Sequence, residues 1–325
     1  MGFTSLSIID SSESQPFPPL RKMVSECFSL YTRHLFVLTL PSFLYLIILI
    51  EFLPEPTGNL QLPPVSQWPL YIGLFLLYAA FQAGWFQMMH GLCAQFVQGK
   101  LAEKPTTETV TQNPAEELKQ LFLSPFAPLS HFFPGVGAFF VDTFVGVTLQ
   151  TLILAVIVWF IQQAIDGNVG IPPILIQWFQ TMEHTKEPLS PEVMTQQLIA
   201  LPIGQKTQLN QFYSLIFSGF ALYGITSLLL LFWPPLLISR QKGALFAMCD
   251  SIITVVKQLT RWIRLITLLL LSYFLVLALL SIPSFLSLFG SFFLLLLNGY
   301  WMLFIFLEIA YRDEQQAKSR IDVAA

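Results

Sequence analysis

At 325 residues, with 54% hydrophobic residues, only 11% charged residues and a mean hydropathy of +0.66, the chain has too little charge to clothe a water-soluble globule, whose charged share is about a quarter. Its formal net charge of -3 is small and its 16 Lys and Arg are confined to a few segments, so neither a nucleic-acid partner nor an acidic substrate is implied. The class that remains is an all-α integral membrane protein.

Residues 1–20 are rich in Ser, Pro and Glu and lack the basic start and apolar block of a cleavable signal peptide, so a disordered cytoplasmic tail is expected there. Residues 21–312 read as a single membrane domain and 313–325 as a second cytoplasmic tail. In residues 20–34, Met23, Cys27, Leu30 and Tyr31 recur at helical spacing among Arg21, Lys22 and Arg33, the pattern of an amphipathic helix on the membrane surface. A first span is expected at residues 35–53, about 28 Å at about 1.5 Å per residue, with Pro41 as a kink.

The Pro-rich connection that follows carries Glu55 and no Lys or Arg, and is expected outside. A second span at residues 69–90 presents Ala79, Ala80, Ala83 and Gly84 as a small-residue stripe that lets another helix approach closely. The inside loop after it has a short surface helix at residues 115–122 and aromatics suited to the headgroup boundary at residues 124–135. A third span covers residues 136–161, and two short helices on the outer surface are expected before a fourth span at residues 212–233. That span closes at Pro234 and Pro235. A basic amphipathic helix follows, from Gly243 to Trp262, its apolar residues Leu245, Met248, Ile252, Val255, Val256 and Leu259 recurring at three to four. Spans five (residues 263–282) and six (residues 285–309) complete the set.

Charge fixes the threading. Of the 16 Lys and Arg, three precede the first span, three lie between spans two and three, five between or at the edges of spans four and five, and three in the C-terminal segment, leaving only Lys186 and Lys206 outside. This bias predicts six transmembrane helices with amphipathic juxtamembrane helices and both termini cytoplasmic. The order of surface helix, bases, span and hairpin partner occurs twice, at residues 23–46 and 247–277. Either this is a parallel internal repeat, or inward-starting spans simply attract such flanks.

The run F-W-P-P-L-L-I-S with Phe232 and Pro235, then Ala244, Ala247, Met248 and Ser251, a basic juxtamembrane helix, two close spans and a terminal A-Y-R-D at residues 310–313 resemble a group of uncharacterised six-span bacterial inner-membrane proteins. The architecture is similar to the membrane domain attached to some glycerophosphodiester phosphodiesterases. The likeness covers the C-terminal third of the chain and, more loosely, the N-terminal helix. It implies a six-helix fold with cytoplasmic termini, supplies no catalytic residues, and brings no phosphodiesterase domain to these residues.

Polar groups at membrane depth are costly and so are the first functional candidates. Asp142, Gln82, Asn298 and Glu308 could line a polar pathway. Two readings of Asp142 are open: a carboxylate inside the third span, or an N-cap if the helix begins there. Glu308 precedes Arg312 by four residues, the spacing of an ion pair. Lys257, Arg261 and Arg264 are candidates for contact with anionic lipid. The three cysteines lack metal or disulfide spacing and read as reduced, packed thiols near the cytoplasmic side, and the four histidines show no ligand spacing. No nucleophile motif is present. The expected role is non-enzymatic, in envelope lipid or protein organisation, without cofactor or metal and with membrane lipids and other membrane proteins as partners. The alternative is a transporter of a small molecule or lipid through the helix bundle.

Overall fold

The computed structural model describes residues 18–52, 65–102, 124–185, 190–257, 259–280 and 286–324, and these are helical almost throughout, with no strand among them. The helices are α1 (Leu20–Arg33), α2 (Leu35–Phe52), α3 (Trp68–Ala102), α4 (Phe132–Ala164), α5 (Pro173–Thr185), α6 (Pro191–Ala200), α7 (Ile203–Leu229), α8 (Trp233–Arg240), α9 (Ala244–Lys257), α10 (Leu259–Leu280) and α11 (Leu286–Ala324). Most of the expected N-terminal tail, the surface helix at 115–122 and the turn joining spans five and six lie outside the described residues.

Four helical stretches are long and apolar enough to cross a membrane, and up to six if each of two bent pairs counts as one span. The bent pairs are α1 with α2, turning by 71°, and α9 with α10, turning by 92°. Large apolar side chains such as Phe217, Phe220, Leu271 and Phe274 stand exposed, as they must where the surrounding medium is hydrocarbon rather than water. These are the features of a helical protein that crosses a membrane several times.

The chain forms two compact units. The first, residues 1–146 and 231–325, is organised on α11, which packs against α1, α2, α3, α8 and α10. Within the candidate span containing α11, 56% of the most apolar window is buried, against 17% for those containing α4 and α7. Aromatic rings fill the space around it: Phe86 of α3 lies 5.9 Å from both Phe306 of α11 and Trp233 of α8. Small residues permit the close approaches. Ala79 and Ala83 of the α3 stripe are fully buried, and at Gly84 an added Cβ would sit 2.6 Å from the ring of Phe132. At Gly146 it would sit 2.5 Å from Trp233.

In the second unit, residues 147–230, α4 ends in a wide turn, Ile165–Val169, closed by Gly170 at a φ of 68° that favours glycine. Gln208 of α7 donates to the carbonyl of Val169 at 2.7 Å. The two short helices expected between spans three and four are α5 and α6, joined by Trp178 Nε1 donating to Gln197.

Three features depart from the sequence expectation. Pro234 and Pro235 do not end span four: α7 stops at Leu229, a turn follows, and the prolines open the first turn of α8, where an N–H is not needed. Every residue from Trp233 to Ile238 is buried. The basic amphipathic segment is not one helix but two, α9 and the start of α10. And α9 docks by its small face, Ala244, Ala247, Met248, Ser251 and Val255, leaving Leu245, Ile252 and Val256 exposed, as is Leu259 at the start of α10.

A charged seam as the candidate functional site

The first helix shows how a polar cluster is gathered around α11. The face of α1 formed by Met23, Glu26, Cys27, Leu30 and Tyr31 is buried, and its polar atoms reach α11 directly. Tyr31 Oη donates to the carbonyl of Leu296 at 2.7 Å, and Cys27 Sγ to that of Tyr300 at 3.7 Å. Tyr300 Oη returns a bond to the carbonyl of Val24 at 3.2 Å. Further along, Tyr311 Oη donates to Glu26 Oε2 at 2.6 Å, which satisfies a carboxylate only 9% exposed.

On the other side, Ser251 of α9 accepts from the backbone N–H of Phe232 at 3.0 Å, tying α9 to the entry of α8. The residues that carry the family resemblance, Phe232, Pro235, Ala244, Ala247, Met248 and Ser251, are all buried at this junction. They are packing residues.

Between these contacts lies a seam of charged side chains. Lys242 Nζ and Arg240 Nη1 meet Asp250 Oδ2 at 3.5 and 2.7 Å. Arg312 holds Glu308 Oε1 through Nη2 at 2.8 Å and Nε at 3.1 Å, and Arg261 Nη2 holds Glu308 Oε2 at 2.9 Å. The Arg312 guanidinium lies 5.4 Å over the Trp262 ring, which in turn packs on Phe232 at 4.3 Å. Arg261 Nη2 also touches Met23 Sδ at 3.3 Å, bringing α1 to the same point.

Glu308 has no solvent exposure at all. Such a carboxylate is retained only when its charge is matched and its oxygens are hydrogen-bonded, and here each oxygen has a guanidinium. Arg240 and Lys242 neutralise Asp250, and Arg312 and Arg261 neutralise Glu308. The chemistry open to this arrangement is neutralisation: it joins α8 to α9 and α10 to α11 by charge. Both oxygens of the Glu308 carboxylate are occupied by guanidinium groups.

The residues picked from sequence fall in different places. Glu308 has the i+4 pair with Arg312, plus Arg261 from α10. Asp142 lies ten residues inside α4, so it is not that helix's N-cap, and it is half-buried. A Cβ on Gly243 would be 3.6 Å from Asp142 Oδ1, which puts the carboxylate beside the connection between α8 and α9. Gln82 is half-buried on α3. Asn298 is exposed and accepts from Tyr273 Oη of α10 at 3.4 Å. Lys257 and Arg264 are exposed, whereas the Arg261 guanidinium is committed to Glu308.

Cys27 and Cys93 are packed, but Cys249 is exposed. Among the described residues no three His, Cys, Asp or Glu side chains are grouped as metal ligands; His131 instead contacts Gln95, at 3.3 Å. Sequence reasoning missed the partners of Asp250, the burial of Glu26 and the role of Arg261. Only the basic residues Arg240 and Lys242 within ten positions of Asp250 hinted at the first. The chain matches no protein-family model, no curated protein and no solved structure.

Proposed function

We propose that this chain is a six-span protein of the bacterial inner membrane, with both termini cytoplasmic, that acts as a non-enzymatic factor in envelope lipid or protein organisation. The observation that carries the reading is the saturation of Glu308: the most deeply buried carboxylate among the described residues is closed by two guanidinium groups, and elsewhere on the same helix Phe306 packs on Phe86, which meets Trp233. A pathway for a solute needs polar groups open to water, and a reaction centre needs a group free to exchange a proton. The charged seam instead stabilises a fixed junction of helices. The resemblance to six-span membrane proteins and to the membrane domain of some glycerophosphodiester phosphodiesterases agrees with this role.

A second reading, a transporter of a small molecule or lipid, draws support from two buried oxygens without hydrogen-bond partners among the described residues, Thr143 Oγ1 beside Asp142 and Gln87 Oε1 on α3. The two readings part on water access. Single cysteines placed at Asp142, Gln82 and Asn298 in a cysteine-free background, in intact membranes, are tested with a water-soluble thiol reagent. The organising role predicts that the three positions do not form a jointly reactive set, with Gln82 unreactive. Reaction at all three would establish a polar pathway and replace this reading by transport.

A further inference from the structure

Helices α1 and α9 do the same architectural work. Each has 14 residues and precedes a long apolar helix through a sharp bend. Matched from their first residues, they align Met23 with Ala247, Cys27 with Ser251 and Tyr31 with Val255, and all six side chains are buried. The same register aligns Glu26 with Asp250 and Arg33 with Lys257. Their outward faces are opposite in character. On α1 the exposed residues are Arg21, Lys22, Ser25, Phe28, Ser29, Thr32 and Arg33. On α9 they include Leu245, Phe246, Ile252, Ile253 and Val256. The docked position therefore does not require an apolar outward face, and α9 has one for another reason.

The bend indicates what covers it. Because α9 turns by 92° into α10, it lies along the membrane plane when α10 crosses it. Cations stand at both ends of its apolar face: Lys242 before it, its side chain 52% exposed, and Lys257 and Arg264 after it, both exposed. The carboxylate on the helix, Asp250, is already matched by Arg240 and Lys242. An apolar face flanked by bases is the surface that sinks to the acyl boundary of a bilayer and attracts acidic headgroups.

We propose that α9 lies in the membrane interface and selects acidic phospholipid, with Leu245, Phe246, Ile252, Ile253 and Val256 among the acyl chains and Lys257 and Arg264 on the headgroup phosphates. This rests on the reading of the chain as a membrane-embedded organiser and names the lipid class it organises.

Native Cys249, exposed on α9 while Cys27 and Cys93 are buried, provides the probe. The full chain, labelled there with an environment-sensitive fluorophore, is reconstituted into phosphatidylcholine vesicles with or without phosphatidylglycerol, with a bromine quencher on the shallow acyl carbons of one lipid or the other. The expected result is quenching in both cases. Brominated phosphatidylglycerol should quench several-fold more effectively than brominated phosphatidylcholine at equal mole fraction, and the preference should fall by up to about fivefold for each cation replaced by Gln. No quenching by either lipid would place α9 in water or against a protein and overturn the proposal. Equal quenching by both would overturn the acidic selectivity and with it the proposal. Neither outcome depends on whether Asp142, Gln82 and Asn298 are water-accessible, so a failure here is distinct from a failure of the organising role.

Discussion

Glu308 is the residue on which the seam turns, because its carboxylate reaches no water and both its partners come from outside its own turn of helix or one turn on. Removing it is not the mirror of removing a surface base. Glu308→Ala leaves the guanidinium groups of Arg261 and Arg312, which are only 28% and 16% exposed, without their carboxylate, and a loss of about 3–5 kcal/mol in stability is expected. Arg264→Ala, on an exposed side chain, should stay within about 0.5 kcal/mol. Unfolding in detergent monitored by tryptophan fluorescence separates the two, and equal small effects would show that the pairs around Glu308 carry little. At this scale the sequence was partly legible. The i+4 pair of Glu308 with Arg312 follows from helix geometry alone. Arg261 was invisible as a partner because it lies 47 residues away, and Asp250 was missed because its bases sit outside its own helix, at the end of α8 and in the connection to α9. Periodicity reports neighbours on one helix, not across two.

At the scale of elements, glycine marks where helices touch. A valine at Gly146 would drive its Cβ into the Trp233 ring, which is only 3% exposed and has nowhere to turn. Gly146→Val should cost about 1–3 kcal/mol by overpacking, whereas Gly137→Ala, with nothing within 4 Å of the added carbon, should be neutral or gain up to about 1 kcal/mol. Thermal melts of the two variants against wild type provide the check, and a neutral Gly146→Val would mean that α8 does not press on α4 as described. The buried face of α1 was readable because apolar and polar residues alternate with the helical period. That of α9 was not: it is apolar on two sides, and what docks inward is its smaller side, since small residues allow the close approach to α8. The double proline misled in a similar way. Proline interrupts a helix that reaches it but suits one that starts with it.

For the whole molecule, the helices long enough to span, the exposed apolar surface and the sixteen bases bear on one threading. The hydropathy of the long helices was plain in the sequence, because a span must be apolar over its whole length. The number of crossings was less so, because two of the expected spans belong to bent pairs whose first arm is amphipathic. Helices α1 and α9 share a length of 14 residues, matched buried positions and bends of 71° and 92° into the helices that follow, and both a parallel repeat and a common flank of inward-starting spans account for them.

The threading itself is open to one direct measurement. Lys206 and Lys257 are both exposed, the first in the opening turn of α7 and the second at the end of α9. In a Cys249→Ser background, with Cys27 and Cys93 buried, cysteines at the two positions are labelled with a membrane-impermeant reagent in right-side-out and inverted vesicles. The six-span arrangement with cytoplasmic termini predicts that Lys206→Cys reacts only in right-side-out vesicles and Lys257→Cys only in inverted ones. Reaction of both from the same side would contradict it and remove the cytoplasmic placement of the seam.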